Sequence, residues 1–415
     1  MPHTFALAVE TATTAFTVAG IGYFLAVLLA ARIFQYQRRA PRPNFTPGAP
    51  ADGSLSVAWS PGVSILKSLK GLDPCMLDAF RSHCRQEYRG GFELLFGVSS
   101  LDDPAAAAVE VLKTEFPERD IRLIRCPERL GTNGKVSTLV QLALHARYDF
   151  LLINDSDITV TPHYLEKVMA CFGDPHLSPA DAQRIGQKDR KVGLVTALYR
   201  GTAHGSLPSR LEALGIAAEF MGSVLLSKWI ERGLHYGLGS TLAVWREALE
   251  RIGGLLPLVD HLADDYELGA RVARAGYRVE LASEVVETSV PPYTWRGFID
   301  HQLRWARAVR CSRPAGYAGL IFTHGLSWAL LNVLASGLSP LSLWLLALSF
   351  FLRLAQAMTV GAEVLGDHQV ISNLWLLPLR DLIATAIWVA GFAGNTIIWR
   401  GQRFALTGGK LVERT

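Results

Sequence analysis

Charged side chains are missing from long stretches at both ends of this 415-residue chain. No Asp, Glu, Lys or Arg occurs from Thr11 to Ala31, and none between Arg313 and Arg353. No Lys or Arg precedes the first of these runs either. A cleaved secretory signal carries its positive charges in that position, so the run reads as a retained anchor. Cysteine is also scarce. The five present, Cys75, Cys84, Cys126, Cys171 and Cys311, show no CxxC or other metal spacing. That excludes a disulfide-stapled secreted fold and leaves reduced core residues as the expectation. A hydrophobic content of 50% excludes disorder and collagen, and a net charge of +4 gives no sign of nucleic acid as a partner.

What is present is segregated along the chain. At ~1.5 Å per residue, the 21 residues from Thr11 to Ala31 rise about 30 Å, one bilayer core. Arg32, Arg38, Arg39 and Arg42 follow directly, whereas only Glu10 precedes. The positive-inside rule then puts the amino end outside and brings the chain into the cytoplasm after Ala31. The stretch beyond Arg313 has room for two spans with a turn near Gly337 to Pro340, and Leu382 to Trp399 is a third candidate. Three such spans would leave Arg400, Arg403 and Lys410 outside, against the same rule. Either one stretch re-enters, with a break in Ile371 to Leu379 around Pro378, or the rule fails here. Arg353, Glu363, Asp367, Arg380 and Asp381 are expected at span ends, which favours anchoring over transport. The chain thus divides into an anchor (1–40), a Pro/Gly-rich linker (41–62), a large domain (63–313) and carboxy-terminal transmembrane or interfacial helices with a tail (314–415).

Within the large domain, short apolar runs predict strands at Val63 to Leu66, Glu93 to Val98, Ile121 to Arg125, Phe150 to Ile153 and Val192 to Thr196. Helical patterns fall between them at Pro74 to Glu87, Ala105 to Glu115, Lys135 to Ala146 and Pro162 to Phe172. A strand about every 30 residues with helical connections predicts βαβ units and a mostly parallel α/β sheet. Ligands bind such sheets beyond the carboxyl ends of the strands. Two strand ends are acidic. FELLFGV runs into SSLDDP, with Asp102 and Asp103, and YDFLLIN runs into DSDI, with Asp155 and Asp157. Asp103 before Pro104 is equally good helix-cap chemistry. Asp155 and Asp157, spaced i and i+2 in an extended segment, would share one side and suit a hard divalent cation shared with phosphates. A third cluster, ADDYELGARVARAGY, places Asp264, Asp265 and Glu267 in a first helical turn, where the helix dipole alone favours acids. HQLRW follows, with His301, Arg304 and Trp305, suited to phosphate or to an interfacial anchor.

The order of these pieces carries more than any one of them. A strand-end DD, a DxD ~50 residues on, a DD ~110 residues later and an RW motif ~40 beyond that resemble family 2 type glycosyltransferases of the GT-A fold. Within them they resemble the ceramide glucosyltransferase branch, whose pattern is D, D, D, (Q/R)xxRW. The likeness runs through SPGVSILKSLKG, DDPA, GTNGK, NDSDI, KVGLV and ADDY to RW, and covers nearly the whole chain. The wording VTALYRG and GLGSTLAV looks closer to that of the bacterial hopanoid-biosynthesis glycosyltransferases. Two positions depart from the pattern: His301 stands where Gln or Arg is usual, and Ser68 replaces a proline.

The resemblance implies a Rossmann-like GT-A catalytic domain at the bacterial cytoplasmic membrane, facing the cytoplasm. It implies Mg2+ or Mn2+ on Asp157 and Asp155, with the donor diphosphate also held by His301, Arg304 and Trp305. Asp103 would lie near the nucleotide, with Lys67 and Lys135 as further contacts, although Lys135 could equally be a solvated residue at a helix start. Asp265 would be the general base of an inverting single displacement. His204, His235, His261 and His324 are expected to be packing or surface residues. Leu211 to Trp229 is either a core helix or one lying on the inner leaflet at the acceptor entrance. The leading expectation is transfer of N-acetylglucosamine from UDP-GlcNAc to a hopanoid polyol. The alternatives are a ceramide glucosyltransferase using UDP-glucose, whose acceptor is a sphingolipid precursor, and a membrane transport or polysaccharide-export component.

Overall fold

A computed structural model describes residues 2–39, 59–173, 191–399 and 402–413. All but the last four residues of the expected linker, with Arg42 and Arg400, lie outside the described residues. The chain forms two compact units. One comprises Arg38–Tyr199 and Glu231–Ser289, the other Met1–Gln37, Arg200–Ile230 and Val290–Thr415. Residues 200–230 and 290–313, read above with the large domain, therefore group with the terminal helices.

The first unit is built on β1 (Val63–Ser68), β2 (Phe92–Val98), β3 (Asp120–Arg125), β4 (Phe150–Ile153), β5 (Ile158–Thr159), β6 (Val192–Ala203), β7 (Leu242–Trp245) and β8 (Arg278–Val290), in the order β3-β2-β1-β4-β7-β6-β8-β5. β1 to β4 pair in parallel, as the βαβ spacing predicts. β7 runs antiparallel to β4 and β6, and β5 antiparallel to β8. Apolar runs such as FELLFGV form central strands because both faces are covered, and Ile65, Leu66, Leu95 and Phe96 are wholly buried. Each such side chain contributes about 1.5–3 kcal/mol. β5, β7 and β8 escape the periodicity reading. β5 has only two residues, and β8 alternates buried with half-buried positions, so that no apolar run marks it. The four expected helices form as Met76–Cys84, Pro104–Glu115, Gly134–Ala143 and Tyr164–Met169. Gly97 lets the third of these lie close on β2, since a Cβ there would come 2.5 Å from Thr138.

In the second unit, four helices among the described residues are long and apolar enough to cross a bilayer: Thr4–Arg39, Leu207–Ile230, Pro340–Val364 and His368–Phe392. A fifth possibility is the pair Pro314–Thr323 and Gly325–Ala335, bent by 55°. The expected turn near Gly337 is present, with Gly337 and Leu338 both at positive φ. Glycine is required where the first helix crosses Gly325–Ala335, because a Cβ on Gly20 would fall 2.3 Å from the Gly325 Cα. Thr14 on the first helix donates to Asn332 across the same pair at 2.9 Å.

Three expectations need correction. The candidate span Leu382 to Trp399 ends at Phe392, because Thr396–Trp399 is the first strand of an antiparallel sheet, β9, with β10 (Gln402–Thr407) and β11 (Lys410–Glu413). Leu211 to Trp229 is neither a plain core helix nor a regular amphipathic one. It lies within Leu207–Ile230, which has the length and apolarity of a span and is interrupted by a π turn at Ile216–Phe220. Arg353, Arg380 and Asp381 are not at span ends but buried within helices. Arg353 makes a two-pronged pair with Asp381, at 2.8 and 2.7 Å. Its remaining Nη1 donates to the Ala218 carbonyl at 2.8 Å, as does Gln356 Nε2 at 3.1 Å, satisfying a carbonyl of the π turn. The cysteine expectation holds for buried Cys84 and Cys126, whereas Cys75 is exposed. Burial pushes the Cys84 thiol up to about 12.

Candidate active site

The DSD residues sit where β4 gives out. After Ile153 the chain turns through Asn154 to Asp157 before entering β5, so the two carboxylates lie in a turn and not in an extended strand. Asn154 anchors that turn from inside, donating to the Ser240 carbonyl at 2.6 Å and to the Tyr164 hydroxyl at 3.0 Å. Lys67, near the end of β1, is wholly buried and donates to the Asp155 carbonyl at 3.0 Å. Burial brings its amine down to about 7, against the upward pull of Asp157 and Asp155. From there Lys67 holds the backbone of the DSD turn from behind.

The two carboxylates differ in their partners. Asp157 accepts from the Thr288 hydroxyl at 2.5 Å, and burial, together with the Asp155 charge, raises its acid to about 6. Asp155 faces the Lys135 Nζ at 2.8 Å, and the same ammonium lies 3.3 Å from Asp264. Burial pulls the Lys135 amine down, but Asp155 and Asp264 outweigh it and hold it above its ordinary value. Lys135 is therefore not a solvated helix-start residue; it bridges the second and third acidic clusters. The GTNGK loop brings it there. Asn133 caps the Gly134–Ala143 helix through Val136 N, at 3.2 Å, and its amide donates to the His261 carbonyl at 2.8 Å. The Asn133 backbone N–H donates to the Val259 carbonyl at 2.7 Å, and Thr132 N to Asp260 at 3.0 Å. Loop and ADD segment are thereby zipped together.

Asp265 occupies the first turn of the Asp264–Arg274 helix, and burial, then the neighbouring Asp264 charge, raises its acid to about 6. Opposite it lies Gly239. A Cβ on that residue would be 3.1 Å from Asp265 Oδ2 and 3.7 Å from Asp155 Oδ2, so the absent side chain leaves a cradle between two acidic clusters. Gly269 fixes the floor, since a Cβ there would strike the Gly237 backbone nitrogen at 2.1 Å. Asp103 has other partners: it caps the Pro104–Glu115 helix through Ala105 N at 2.9 Å and accepts from Gly71 N at 2.9 Å. It ties the SLKG loop to a helix start, the capping alternative raised by its sequence.

Among the described residues no three His, Cys, Asp or Glu side chains gather to hold a metal ion by themselves. The pair Asp155 and Asp157 does fit a divalent cation shared with phosphates, which takes one or two carboxylates and completes its shell with substrate oxygens and water. Burial, with the Asp155 charge beside it, makes the Asp157 anion costly, a cost that a bound cation would relieve.

His301, Arg304 and Trp305 belong to the other unit, on the Trp295–Ser312 helix capped by Thr294 through Gly297 N at 3.1 Å. At spacings of three and four they share one face. The His301 and Trp305 rings lie 5.5 Å apart, and Trp305 meets Phe220 edge-on at 5.4 Å. Gly239, Thr288 and Glu212 were not singled out from sequence. Only Gly239 carried a signal, inside GLGSTLAV.

A mannosyltransferase from Pyrobaculum calidifontis, solved with GDP-Man and Mn2+, superposes with a TM-score of 0.51 at 18% identity, covering 92% of this chain and 97% of that one. Ceramide glucosyltransferase 3 of Caenorhabditis elegans is 26% identical over 363 residues, 84% of this chain and 73% of its own. The ceramide glucosyltransferase of Komagataella phaffii is 33% identical over 141 residues, 32% of this chain and 27% of its own. The family model for glycosyl transferase family 21 matches residues 12–412. With that match spanning almost the whole chain, the protein belongs to glycosyl transferase family 21.

Proposed function

We propose that this glycosyltransferase moves glucose from UDP-glucose to a ceramide-type lipid in the bilayer. The observation that carries the reading is the convergence of Asp155 and Asp265 on the Gly239 cradle, with Lys135 joining Asp155 to Asp264, in a family 21 chain. The expectation of N-acetylglucosamine and a hopanoid polyol yields to this one, because the relatives named above are ceramide glucosyltransferases. The hopanoid acceptor stays as a second reading on the wording VTALYRG and GLGSTLAV. Against a transport role, Arg353 and Asp381, buried in two of the span-quality helices, close on each other as a two-pronged pair.

In this reading Asp265 accepts the proton of the acceptor hydroxyl as its oxygen bonds to the anomeric carbon and the bond to UDP breaks, with inversion. Asp155 and Asp157 would hold Mg2+ or Mn2+, which when bound neutralises charge on the leaving diphosphate. Lys135 sets the distance between the two acidic clusters. Arg304, with His301 and Trp305, supplies cationic and stacking contacts to the diphosphate, and Asp103 orders the loop nearest the nucleotide. Four apolar helices suit an acceptor that stays in the membrane. In this reading the catalytic unit faces the cytoplasm at a bacterial inner membrane, an orientation that Arg32, Arg38 and Arg39 after the first helix support through the positive-inside rule.

Membranes containing the protein, incubated with UDP-glucose or UDP-GlcNAc and with ceramide or a hopanoid polyol, are expected to yield glucosylceramide by mass spectrometry. EDTA should stop the reaction, and Mn2+ or Mg2+ restore it. A GlcNAc-hopanoid product would move the assignment to the second reading, and no glycolipid from any pairing would overturn both. Gly239→Ala is a sharper probe of the cradle. The backbone there is not left-handed, so alanine fits the chain but not the space between Asp265 and Asp155. Initial rates should fall about 100-fold, the cost of a displacement near 1 Å, with the thermal unfolding midpoint unchanged.

A further inference from the structure

Glu212 is a carboxylate where the sequence has little reason for one. It lies in LPSRLEALG, within the span-quality helix Leu207–Ile230, and is 3% exposed. An acid buried in such a helix is costly and is kept where it has a task. Its partners lie on another helix, and they are the first two residues of HQLRW. One oxygen accepts from Gln302 Nε2 at 2.6 Å, and the other lies 3.3 Å from His301 Nδ1.

The arrangement closes into a ring. Gln302 Oε1 accepts from Arg380 Nη2 at 3.1 Å, and the same Nη2 lies 3.0 Å from Glu219, two turns beyond Glu212 on the Leu207–Ile230 helix. Gly215 leaves the room this needs, since a Cβ there would come 2.4 Å from the Arg380 Nε. Three helices are thus locked by four side chains, and the Trp295–Ser312 helix is fixed in rotation. That rotation decides where the face shared by His301, Arg304 and Trp305 is directed.

A tie between helices would need Gln302 alone. The second oxygen of Glu212 adds orientation: with Nδ1 turned to the carboxylate, the His301 ring presents Nε2 away from it. A carboxylate that fixes an imidazole in this way is worth 10- to 100-fold in affinity where the imidazole holds a metal. His301 is also the position at which this chain departs from the Gln or Arg of the pattern it resembles.

We infer that Glu212 is a positioning residue for the RW motif, orienting His301 toward the donor diphosphate; this rests on the reading of the chain as a UDP-sugar enzyme. The test is UDP binding by calorimetry, with Mn2+, on the full-length protein in detergent, for wild type, Glu212→Gln, His301→Gln and the double variant. Glu212→Gln retains an oxygen for Gln302 and so spares the helix tie. It is expected to weaken UDP binding about tenfold at an unchanged unfolding midpoint. Because both residues act through one contact, the double variant should bind no more weakly than the weaker single variant. Wild-type affinity in Glu212→Gln, or losses that multiply in the double variant, overturns the inference. A wild-type protein that binds no UDP overturns the functional reading instead.

Discussion

Asp265→Asn is expected to lower the transfer rate about 10²- to 10⁴-fold, the range a positioned general base supplies, while UDP affinity stays within a factor of two to three. The asparagine keeps the shape beside Gly239 and retains an oxygen for the Tyr266 N–H, a 2.8 Å bond in the native site, so the first turn of its helix survives. What it loses is the capacity to take a proton. The pH dependence carries the same signature. Burial and Asp264 raise the Asp265 acid to about 6. The base works only when ionised, so the native rate should climb as pH rises through about 6 and fall away below it. In Asp265→Asn that limb should vanish from the residual rate. Turnover near the native level, or an unchanged acid limb, would remove Asp265 from the mechanism.

Asp381→Ala should destabilise the helical unit by about 3–5 kcal/mol, because it strands the buried Arg353 guanidinium without its counter-charge. Arg353 is 4% exposed, and its other bonds, to Ala218 O and the Gln356 side chain, are neutral. Removing both charges is a different experiment. Arg353→Met with Asp381→Leu replaces the pair by apolar groups of similar reach, and the Ala218 carbonyl keeps Gln356 Nε2 at 3.1 Å. The double variant should recover most of the loss, since replacing a buried pair outright is often neutral or stabilising. Thermal unfolding in detergent measures both. A single variant as stable as wild type would show that water already reaches the pair.

The opposite outcomes for one and two substitutions explain why this cluster was hard to read along the chain. Arg353 and Asp381 are 28 residues apart on different helices, and each alone resembles a charge at the edge of a span. Nothing local marks them as partners. The DSD turn shows the same limit. Its position after an apolar strand is legible, because strand ends in parallel sheets collect ligands, but the Thr288 hydroxyl that holds Asp157 comes from 131 residues away. Lys135 was legible as a lysine opening a helix after GTNGK. That it bridges Asp155 and Asp264 depends on the zipper of Asn133 and Thr132 to Val259, Asp260 and His261, about 128 residues distant.

The sequence by itself determined the parallel strands β1 to β4, the apolar first helix, the turn at Gly337 and the succession of acidic motifs. These are local: apolar run length, residue pattern and glycine conformation act over a few neighbouring positions. The tertiary structure alone decided that Lys67 is buried behind the DSD turn, that Leu382 to Trp399 splits into a helix and a strand, and that Gly239 opens a cradle between Asp155 and Asp265. It also decided that Glu212 faces His301. Each of these depends on which distant segment fills the space beside a residue, and on whether a charge finds its partner there before water does.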